Sequence, residues 1–477
     1  MVFNSIVFLV FLAVVLVLYY RLKHREQNLL LVAASYLFYG WWDWRFLGLL
    51  LFSTFFDYWC ALRLGAVTAP ARRKWFLAFS MAMNLSVIGV FKYFNFFADS
   101  LGKVLHTFGM SADLPTLHII LPVGISFYTF LSMSYTIDVY RGHLKATRNP
   151  LDFMLYVSFF PHLVAGPIMR AKDLLPQCQR PRVIDRDQVI NGIWLCLLGY
   201  LKKLVIADRL APFVDWGFAS GHTPFTDATS WLVLYAFAFQ IYGDFSGYSD
   251  IARGLSKLMG FELIHNFKAP YLVSNPASFW RHWHISLSEW LRDYLYIPLG
   301  GNRNGGLMTV RNLMITMVLG GLWHGAGLAF LAWGLFHGIL LVLHRGWNAM
   351  KSRKPSTVLR SRRPRILDAV MIVVFFHITC IGWLLFRAGN VPANVSQLGV
   401  ISSFLGTLWK FPSHLSGFAW PVFLLGSLAM ILQWKHEAMD RFSEWAGGRQ
   451  TIAVASVLVA IAALGIFEGS SFIYFQF

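Results

Sequence analysis

The sequence is poor in charged residues, and it has no polar stretch long enough to form a separate soluble domain. Only 13% of its 477 residues are charged, against 57% that are apolar. A soluble domain of ordinary composition could not cover its surface with so little charge. Apolar runs close to the ~20 residues of a bilayer crossing recur instead from end to end. They occupy residues 3–20, 46–62, 75–97, 118–137, 188–212, 231–250, 366–387, 418–434 and 451–467. The chain is therefore predicted to be an all-α polytopic membrane protein.

Cysteine is scarce as well. The four cysteines show none of the paired spacings that are typical of metal sites, and three of them fall inside predicted spans. They are Cys60, Cys178, Cys196 and Cys380. We interpret them as small buried apolar residues and predict that the protein holds no metal.

Acidic residues are outnumbered by basic ones, 23 to 41, which gives a formal net charge of +18. Such a charge could indicate nucleic-acid binding, but a surface that follows phosphates needs basic groups clustered on one face. Here the basic residues lie in short segments between apolar runs. We therefore interpret the charge as a membrane-topology signal and predict no nucleic-acid partner.

Loop charge predicts the orientation, because cytoplasmic loops retain Lys and Arg. The first apolar run follows no positive charge and precedes no small-residue cleavage site, so we interpret it as a retained helix. Arg21, Lys23 and Arg25 follow it, which places the N-terminus outside. Residues 345–365 contain eight Lys or Arg and no acid, so this segment is predicted to be cytoplasmic. Alternation along the chain then puts both termini on the periplasmic side.

Residues 151–168 are apolar but interrupted by Pro161, Gly166 and Pro167. The segment is too short and too broken to cross the bilayer cleanly between its basic flanks. Irregular backbone at membrane depth is tolerated only where neighbouring protein satisfies its polar groups. We therefore predict that this segment is re-entrant or buried in the helix bundle.

Residues 312–344 lie between Arg311 and Arg345, and the alternation of loops requires both ends to be cytoplasmic. Two full crossings of ~20 residues each would not fit, so the segment is predicted to turn inside the membrane at its glycine cluster. The first leg rises about 18 Å, against a hydrocarbon core of about 30 Å. His324 is thus expected near mid-bilayer. An ionisable residue there is either a functional site or a packing histidine bonded to a backbone carbonyl.

Residues 278–296 carry large apolar side chains at helical spacing. The pattern predicts one amphipathic helix in the membrane interface or at the mouth of a cavity. His284 would project at the edge of the apolar face, near Trp280. His282 would point elsewhere, so the two histidines could not jointly hold a metal.

Residues 244–250 carry a cluster of hydrogen-bonding side chains beside Tyr248, at the predicted cytoplasmic end of a span. The cluster consists of Asp244, Ser246, Ser249 and Asp250. Such a group either binds substrate or forms a structural network between helices, and the residues alone leave both interpretations open.

Four long motifs follow one another along the chain. They are FPHLVAGPI at 160–168, DFSGYSDIARGL at 244–255, WRHWHISLSEWLRDYLYIPLGGNR at 280–303 and GGLWHGAG at 320–327. Together they resemble the membrane-bound O-acyltransferase family, and the similarity extends over nearly the whole chain. It is greatest to bacterial members that acetylate secreted polysaccharides such as alginate.

The resemblance implies a single integral-membrane acyltransferase domain over residues 1–477, with its catalytic motifs within 244–345. The fold would be a ring of about ten to twelve transmembrane helices, with re-entrant and interfacial helices, around a central tunnel. In the family, the histidine of the WHG motif is catalytic, and it corresponds to His324. The histidine of the W-H-x-S-L-S motif is also functionally important, and it corresponds to His284. Further candidate substrate-binding residues are Trp323, Trp280, Arg281, Arg292, Asp244, Ser246, Tyr248 and Asp250.

The implied reaction moves an acetyl group from cytoplasmic acetyl-CoA across the bacterial inner membrane toward a secreted polysaccharide such as alginate. His324 would be the general base, and His284 would position a substrate or stabilise the oxyanion. Arg281, Arg292 or Arg303 would either meet the coenzyme phosphates or serve as interfacial charges. The expected partners are a periplasmic acetyl-relay or acetyltransferase protein, the polysaccharide acceptor and membrane lipid, with no permanently bound cofactor.

Other functions stay open at this point. Within the enzyme class, the alternatives are teichoic-acid D-alanylation, which uses an acyl carrier protein, and acetylation of peptidoglycan or cellulose. An alternative of another class is a polysaccharide or lipid exporter with a similar bundle and no chemistry. Release of coenzyme A from acetyl-CoA would distinguish an enzyme from such an exporter.

Overall fold

The computed structural model describes residues 1–110, 120–219, 229–352, 365–391, 395–408, 419–467 and 472–473. Within these ranges the regular secondary structure is helical throughout, which confirms the predicted all-α class. The α-helices are α1 (Ile6–Tyr19), α2 (His24–Gly40), α3 (Leu47–Ala66), α4 (Pro70–Ile88), α5 (Phe94–Thr107), α6 (Ile125–Arg141), α7 (Pro150–Ser158), α8 (Phe160–Leu163), α9 (Ala171–Gln179), α10 (Arg186–Tyr200), α11 (Asp208–Phe218), α12 (Thr229–Leu258), α13 (Pro276–His282), α14 (Ile285–Leu291), α15 (Gly305–His324), α16 (Leu328–Ser352), α17 (Arg365–Ala388), α18 (Gln397–Thr407), α19 (Ala419–Trp434), α20 (His436–Asp440) and α21 (Gly447–Leu464). Short 3₁₀ turns lie at Trp44–Phe46 and Phe442–Glu444, and π-helical turns at Gly89–Tyr93, Leu201–Ala207 and Arg292–Tyr296.

Within the described ranges, seven helical segments are long and apolar enough to cross a membrane. They are Trp44–Ala66, Pro70–Thr107, Arg186–Phe218, Gly305–His324, Leu328–Lys351, Ile366–Ala388 and Gly447–Leu464. Each predicted crossing run overlaps one of these segments or one of α1, α6, α12 and α19. The first residues of the runs at 118–137 and 418–434 lie outside the described residues. The chain is thus a multi-pass membrane protein, and the count of ten to twelve crossings stays a prediction.

The chain divides into two compact units. Unit 1 comprises Met1–Cys196 and Ile251–Ile264, and unit 2 comprises Leu197–Asp250 and His265–Phe477. The organisation as a single domain over 1–477 stays a prediction.

In unit 1, residues 151–168 form the short helices α7 and α8 followed by a loop, and nearly all of them are buried. The Phe160 N–H donates to Ser35 Oγ (3.0 Å), and the Tyr156 hydroxyl donates to the Leu131 carbonyl (3.1 Å). Neighbouring segments therefore supply partners to this irregular stretch, as backbone away from water requires. The structure agrees with the prediction that this segment is buried in the helix bundle, and the re-entrant alternative stays a prediction.

In unit 2, α15 and α16 form a hairpin that turns at residues 325–327. Two glycines allow a close approach of the helices. A Cβ on Gly321 would lie only 2.2 Å from the Phe330 carbonyl oxygen, and a Cβ on Gly334 only 2.3 Å from that of Met317. This packing holds the end of α15, which is His324, against the start of α16.

The hairpin helices are longer than predicted. Since α15 has 20 residues and α16 has 25, each can cross a hydrocarbon core of about 30 Å at 1.5 Å per residue. The expectation that residues 312–344 are too short to cross and return was therefore wrong. Arg311 and Arg345 lie within the helices, and both are exposed. A membrane-crossing helix tolerates such residues near its ends because their long side chains can reach the membrane interface. His324 ends a full-length helix, and its depth in the bilayer stays a prediction.

Candidate active site

Residues 278–296 do not form the single amphipathic helix that their apolar spacing predicts. Helix α13 ends at His282, α14 begins at Ile285, and His284 between them has a left-handed backbone (φ 42°, ψ 56°). The Lys268 N–H donates to the His282 carbonyl (3.0 Å), and the first N–H of α14 donates to the Asn266 carbonyl (3.0 Å). The prediction was wrong because these hydrogen bonds to the preceding loop replace helical ones.

The break carries His284 from the predicted edge of an apolar face into the interior, where its side chain is fully buried. The Phe245 ring lies edge-on at 4.6 Å between ring centroids, and the Trp323 ring lies at 5.8 Å. His284 is outside the candidate membrane spans, and burial lowers the pKa of its imidazolium to about 3, because the charged form loses its hydration. A neutral imidazole offers one N–H donor and one acceptor nitrogen.

His324 lies beside His284. Its side chain is buried, and the two ring centroids are 6.1 Å apart. The rings of Trp323 (5.0 Å), Trp333 (5.0 Å) and Phe386 (5.3 Å) surround His324 edge-on. The structure thus brings together the two predicted catalytic histidines from separate elements.

A third buried histidine, which the sequence analysis missed, lies near this pair. His337 of α16 stacks on Phe279 at 5.7 Å and contacts Trp280 at 5.1 Å and Trp333 at 4.8 Å. Because Trp333 also contacts His324, it joins the two histidines through one ring. The available signal was a histidine inside an apolar helix, but His337 lies outside the four motifs.

A cavity of about 980 Å³ lies beside α13 and α16. Its basic and aromatic lining residues are Arg281, Tyr296, His344, Arg345, Trp347 and Lys351, and its lining contains no Asp or Glu. The cavity is therefore positively charged, as is typical of sites for anionic ligands.

The acidic residues of the 244–250 motif belong to a buried ion cluster. Lys203 Nζ lies 2.8 Å from Asp208 Oδ1 and 2.7 Å from Asp244 Oδ1. Lys202 Nζ lies 2.6 Å from Asp250 Oδ2. These ion pairs connect α12 to the π-helical turn that precedes α11, which favours the structural interpretation of Asp244 and Asp250 over substrate binding.

The other candidates in this motif are Ser246 and Tyr248, and both are buried. The Tyr248 ring packs on Phe472 at 4.6 Å. Phe245, within the same motif, contacts His284 at 4.6 Å and Phe472 at 6.0 Å. The motif therefore reaches the histidine pair through Phe245, a residue that the sequence analysis did not single out.

The remaining candidates separate into two groups. Trp280 and Arg281 belong to α13, where Trp280 contacts His337 and Arg281 lines the cavity. Arg292 instead forms an ion pair with Asp293 (2.6 Å), and its side chain is 54% exposed, so it does not join the histidines.

Within the described ranges, no group of three or more His, Cys, Asp and Glu is placed to hold a metal ion.

The comparisons with known proteins agree with these motifs. The model of MBOAT, the membrane-bound O-acyltransferase family, matches residues 29–386, which include α13 to α16. The probable alginate O-acetylase AlgI of Pseudomonas aeruginosa is 48% identical over 409 residues, which are 85% of this chain and 75% of that protein. The peptidoglycan O-acetyltransferase of Helicobacter pylori is 34% identical over 446 residues, 87% of this chain and 81% of that protein. The teichoic acid D-alanyltransferase of Streptococcus thermophilus is 29% identical over 316 residues, 60% of this chain and 69% of that protein.

The family match covers well over half of the chain, and the relatives are named as acyl-transferring enzymes. The exporter without chemistry is therefore excluded, and the protein is a membrane acyltransferase. On the evidence of its motifs, its histidine pair and its relatives, the chain belongs to the membrane-bound O-acyltransferase family.

Proposed function

We propose that the protein moves an acetyl group from acetyl-CoA toward the hydroxyl groups of a secreted polysaccharide of the alginate type. The single observation that carries the chemistry is the buried pair of His284 and His324, whose rings lie 6.1 Å apart among aromatic side chains. The choice of acetyl group and acceptor rests on relatives named alginate O-acetylase, which are 44% to 48% identical over 85% of this chain.

In the proposed reaction, His324 accepts the proton of an acceptor hydroxyl while the hydroxyl oxygen attacks the thioester carbonyl. The resulting tetrahedral intermediate collapses as its carbon–sulfur bond breaks. The coenzyme A thiolate then takes the proton from the His324 imidazolium, which returns the ring to its neutral state. The products are an acetyl ester and free coenzyme A, so atoms and charges balance.

His284 is proposed to stabilise the negative oxygen of the intermediate. Its neutral ring carries one N–H, and a fixed donor in a dry site is more effective than one that water competes with. Its left-handed backbone and its contact with Phe245 hold the ring in place. The N–H of His284 is thus held in position before the reaction begins.

The proposed topology puts residues 345–365 on the cytoplasmic side of the inner membrane and both termini in the periplasm. Acetyl-CoA then reaches the histidine pair from the cytoplasm, and the acceptor reaches it from the periplasm. The first acceptor hydroxyl belongs either to the polysaccharide or to a protein that passes the acetyl group on to the polysaccharide. In the second case, a periplasmic relay protein is the proposed partner.

The experiment uses purified full-length protein with radiolabelled acetyl-CoA and measures coenzyme A release. We expect release to depend on deacetylated alginate oligosaccharides and to fall by at least about 100-fold in His324→Ala, the low end of general-base contributions. His143→Ala is the matched control, because the His143 side chain is 64% exposed.

Two further arms distinguish the alternatives. Release that depends on peptidoglycan fragments and ignores alginate would overturn the proposed acceptor, in the direction of the Helicobacter pylori relative. Transfer from an acyl carrier protein, with none from acetyl-CoA, would overturn the proposed donor.

A further inference from the structure

A carboxyl group is buried near the middle of α3, a helix of unit 1 that is long enough to cross a membrane. Asp57 belongs to this 20-residue helix, which runs from Leu47 to Ala66, and its side chain is fully buried. The helix therefore continues for about 15 Å before Asp57 and about 14 Å after it, at 1.5 Å per residue. A carboxylate so far from water is unfavourable unless a positive charge or a proton compensates it.

Three hydrogen bonds reach this carboxyl group, and all three come from neutral side chains of α4. Ser80 Oγ donates to Asp57 Oδ1 (2.6 Å), and Asn84 Nδ2 donates to Oδ1 (3.0 Å) and to Oδ2 (2.9 Å). Both carboxyl oxygens thus accept hydrogen bonds, which favours the ionised carboxylate over the protonated acid. These bonds bring no positive charge, so another group must compensate Asp57.

The basic residues of the surrounding helices do not supply that charge. Those of α3, α4 and α6 lie close to the helix ends, away from Asp57. Arg73, near the start of α4, donates to the Tyr140 carbonyl (2.8 Å). Lys92, beyond the other end of α4, places its Nζ 3.5 Å from Ser126 Oγ. Among the described residues, Asp57 therefore has neutral hydrogen-bond donors but no ion pair.

A third helix adds an oxygen without a partner. Helix α6 packs against both α3 and α4, and its Ser132 hydroxyl faces the Asp57 carboxyl group. Ser132 is fully buried, and its Oγ makes no hydrogen bond within the described part of the chain. Burial of such an oxygen is unfavourable, because it loses its hydrogen bonds with water. Ser132 therefore points to a ligand between the three helices.

We infer that a small monovalent cation of the sodium type binds at Asp57, between α3, α4 and α6. The carboxylate supplies the negative charge, and the hydroxyl oxygens of Ser80 and Ser132 supply neutral ligands, the oxygen type that hard cations prefer. One positive charge neutralises the single carboxylate, whereas a divalent ion would leave one charge in excess. The site differs from metal sites with three or more His, Cys, Asp or Glu ligands, which the described residues lack.

The cation joins three helices of unit 1, and neither active-site histidine takes part. The inference is therefore independent of the proposed function. Because a bound ion stabilises the folded state, the unfolding temperature should depend on the concentration of the ion.

The first test measures thermal unfolding of purified full-length protein while sodium or potassium replaces choline at constant chloride and ionic strength. We expect a saturable rise of about 5 °C in at least one of the two series, because choline is too large for the site. Asp57→Asn keeps the shape of the side chain but removes its charge, so it should abolish the rise. Asp99→Asn is the matched control, since Asp99 is an exposed aspartate of the same unit.

The second test measures equilibrium binding of radioactive sodium to the same protein. The wild type should bind one ion per molecule, and Ser132→Ala should weaken this binding about tenfold. Ser132→Ala leaves Asp57 and its three hydrogen bonds in place, so it remains informative if Asp57→Asn fails to fold.

The two tests can overturn the inference in different ways. Unfolding that responds to neither cation, together with absence of sodium binding, would show that no cation occupies the site. If the stability of that protein depends on pH in the wild type but not in Asp57→Asn, a proton compensates the carboxylate instead. A cation response that Asp57→Asn retains in full would place the ion elsewhere. None of these results depends on acetyl transfer, so the proposed function is tested separately.

Discussion

Lys203 and His324 are both buried in unit 2, but the charges around them differ. Lys203 lies between the carboxylates of Asp208 (2.8 Å) and Asp244 (2.7 Å). His324 lies among aromatic rings, of which Trp333 is 5.0 Å away. Lys203 therefore carries a charge that the two nearby carboxylates compensate, whereas the imidazole of His324 is able to stay neutral.

Buried polar residues in this chain are therefore of two kinds. A buried ammonium ion is stable only where carboxylates compensate it, so its partners identify it as part of the fold. A neutral imidazole among aromatic rings needs no compensating charge, and it is able to accept a proton. We therefore assign folding stability to the ion cluster and chemistry to the histidine pair, and four predictions test that division.

Lys203→Met should produce the largest loss of stability, roughly 3–5 kcal/mol, because it removes the ammonium group that pairs with two buried carboxylates. Thermal unfolding of the purified protein measures the effect. Lys257→Met is the control, since Lys257 pairs with Glu262, whose side chain is 57% exposed, and such pairs contribute about 0–1 kcal/mol. If Lys203→Met unfolds at a temperature close to that of the control, the ion cluster does not stabilise the fold as we infer.

His284→Leu should lower the rate of coenzyme A release by about 100- to 1,000-fold, as the loss of one oxyanion donor does. His284→Asn should lose less, because Asn tolerates the left-handed backbone and keeps an N–H donor. The ratio of the two rates is the informative quantity. Equal losses, both accompanied by reduced stability, would show that His284 is a packing residue.

Gly321→Ala should destabilise the protein by about 1–3 kcal/mol and also reduce activity, because the new Cβ would lie 2.2 Å from the Phe330 carbonyl and force α15 away from α16. Gly306→Ala, near the start of α15, meets nothing within 4 Å and serves as the control. Unfolding temperature and coenzyme A release are measured on both. Full activity in Gly321→Ala would mean that the position of His324 does not depend on the close packing of the hairpin.

Arg292→Gln should have the smallest effect, within about 0.5 kcal/mol in stability and with little change in KM, because the Arg292 side chain is exposed and pairs with Asp293. A KM for acetyl-CoA raised about tenfold or more would place Arg292 in the donor site after all. The measurement is a donor titration beside the wild type.

The sequence predicted the parts of the fold that depend on local composition. Apolar runs predicted most of the long helices, and the glycines around His324 predicted the hairpin turn. The lengths of the hairpin helices were not predictable from loop charge, because Arg311 and Arg345 are accommodated inside the helices by their long side chains.

The geometry of the site depended on contacts that are not local. The apolar spacing of residues 278–296 continues without interruption, whereas the break at His284 is stabilised by hydrogen bonds with Asn266 and Lys268. Motif resemblance identified His284 and His324, but it left out His337, which only the packing of α13 on α16 brings near them. Periodicity shows which face of a helix is apolar, but it does not show which side-chain rings contact each other in the folded protein.

Chemical rescue of His324→Ala tests whether the imidazole at position 324 accepts the proton, as we propose. Coenzyme A release is measured per folded molecule, with and without added imidazole. We expect a rate at least about 100-fold below the wild type, an unchanged unfolding temperature, and partial, saturable recovery when imidazole occupies the vacated space. A variant that keeps more than roughly a tenth of the wild-type rate without imidazole would contradict it.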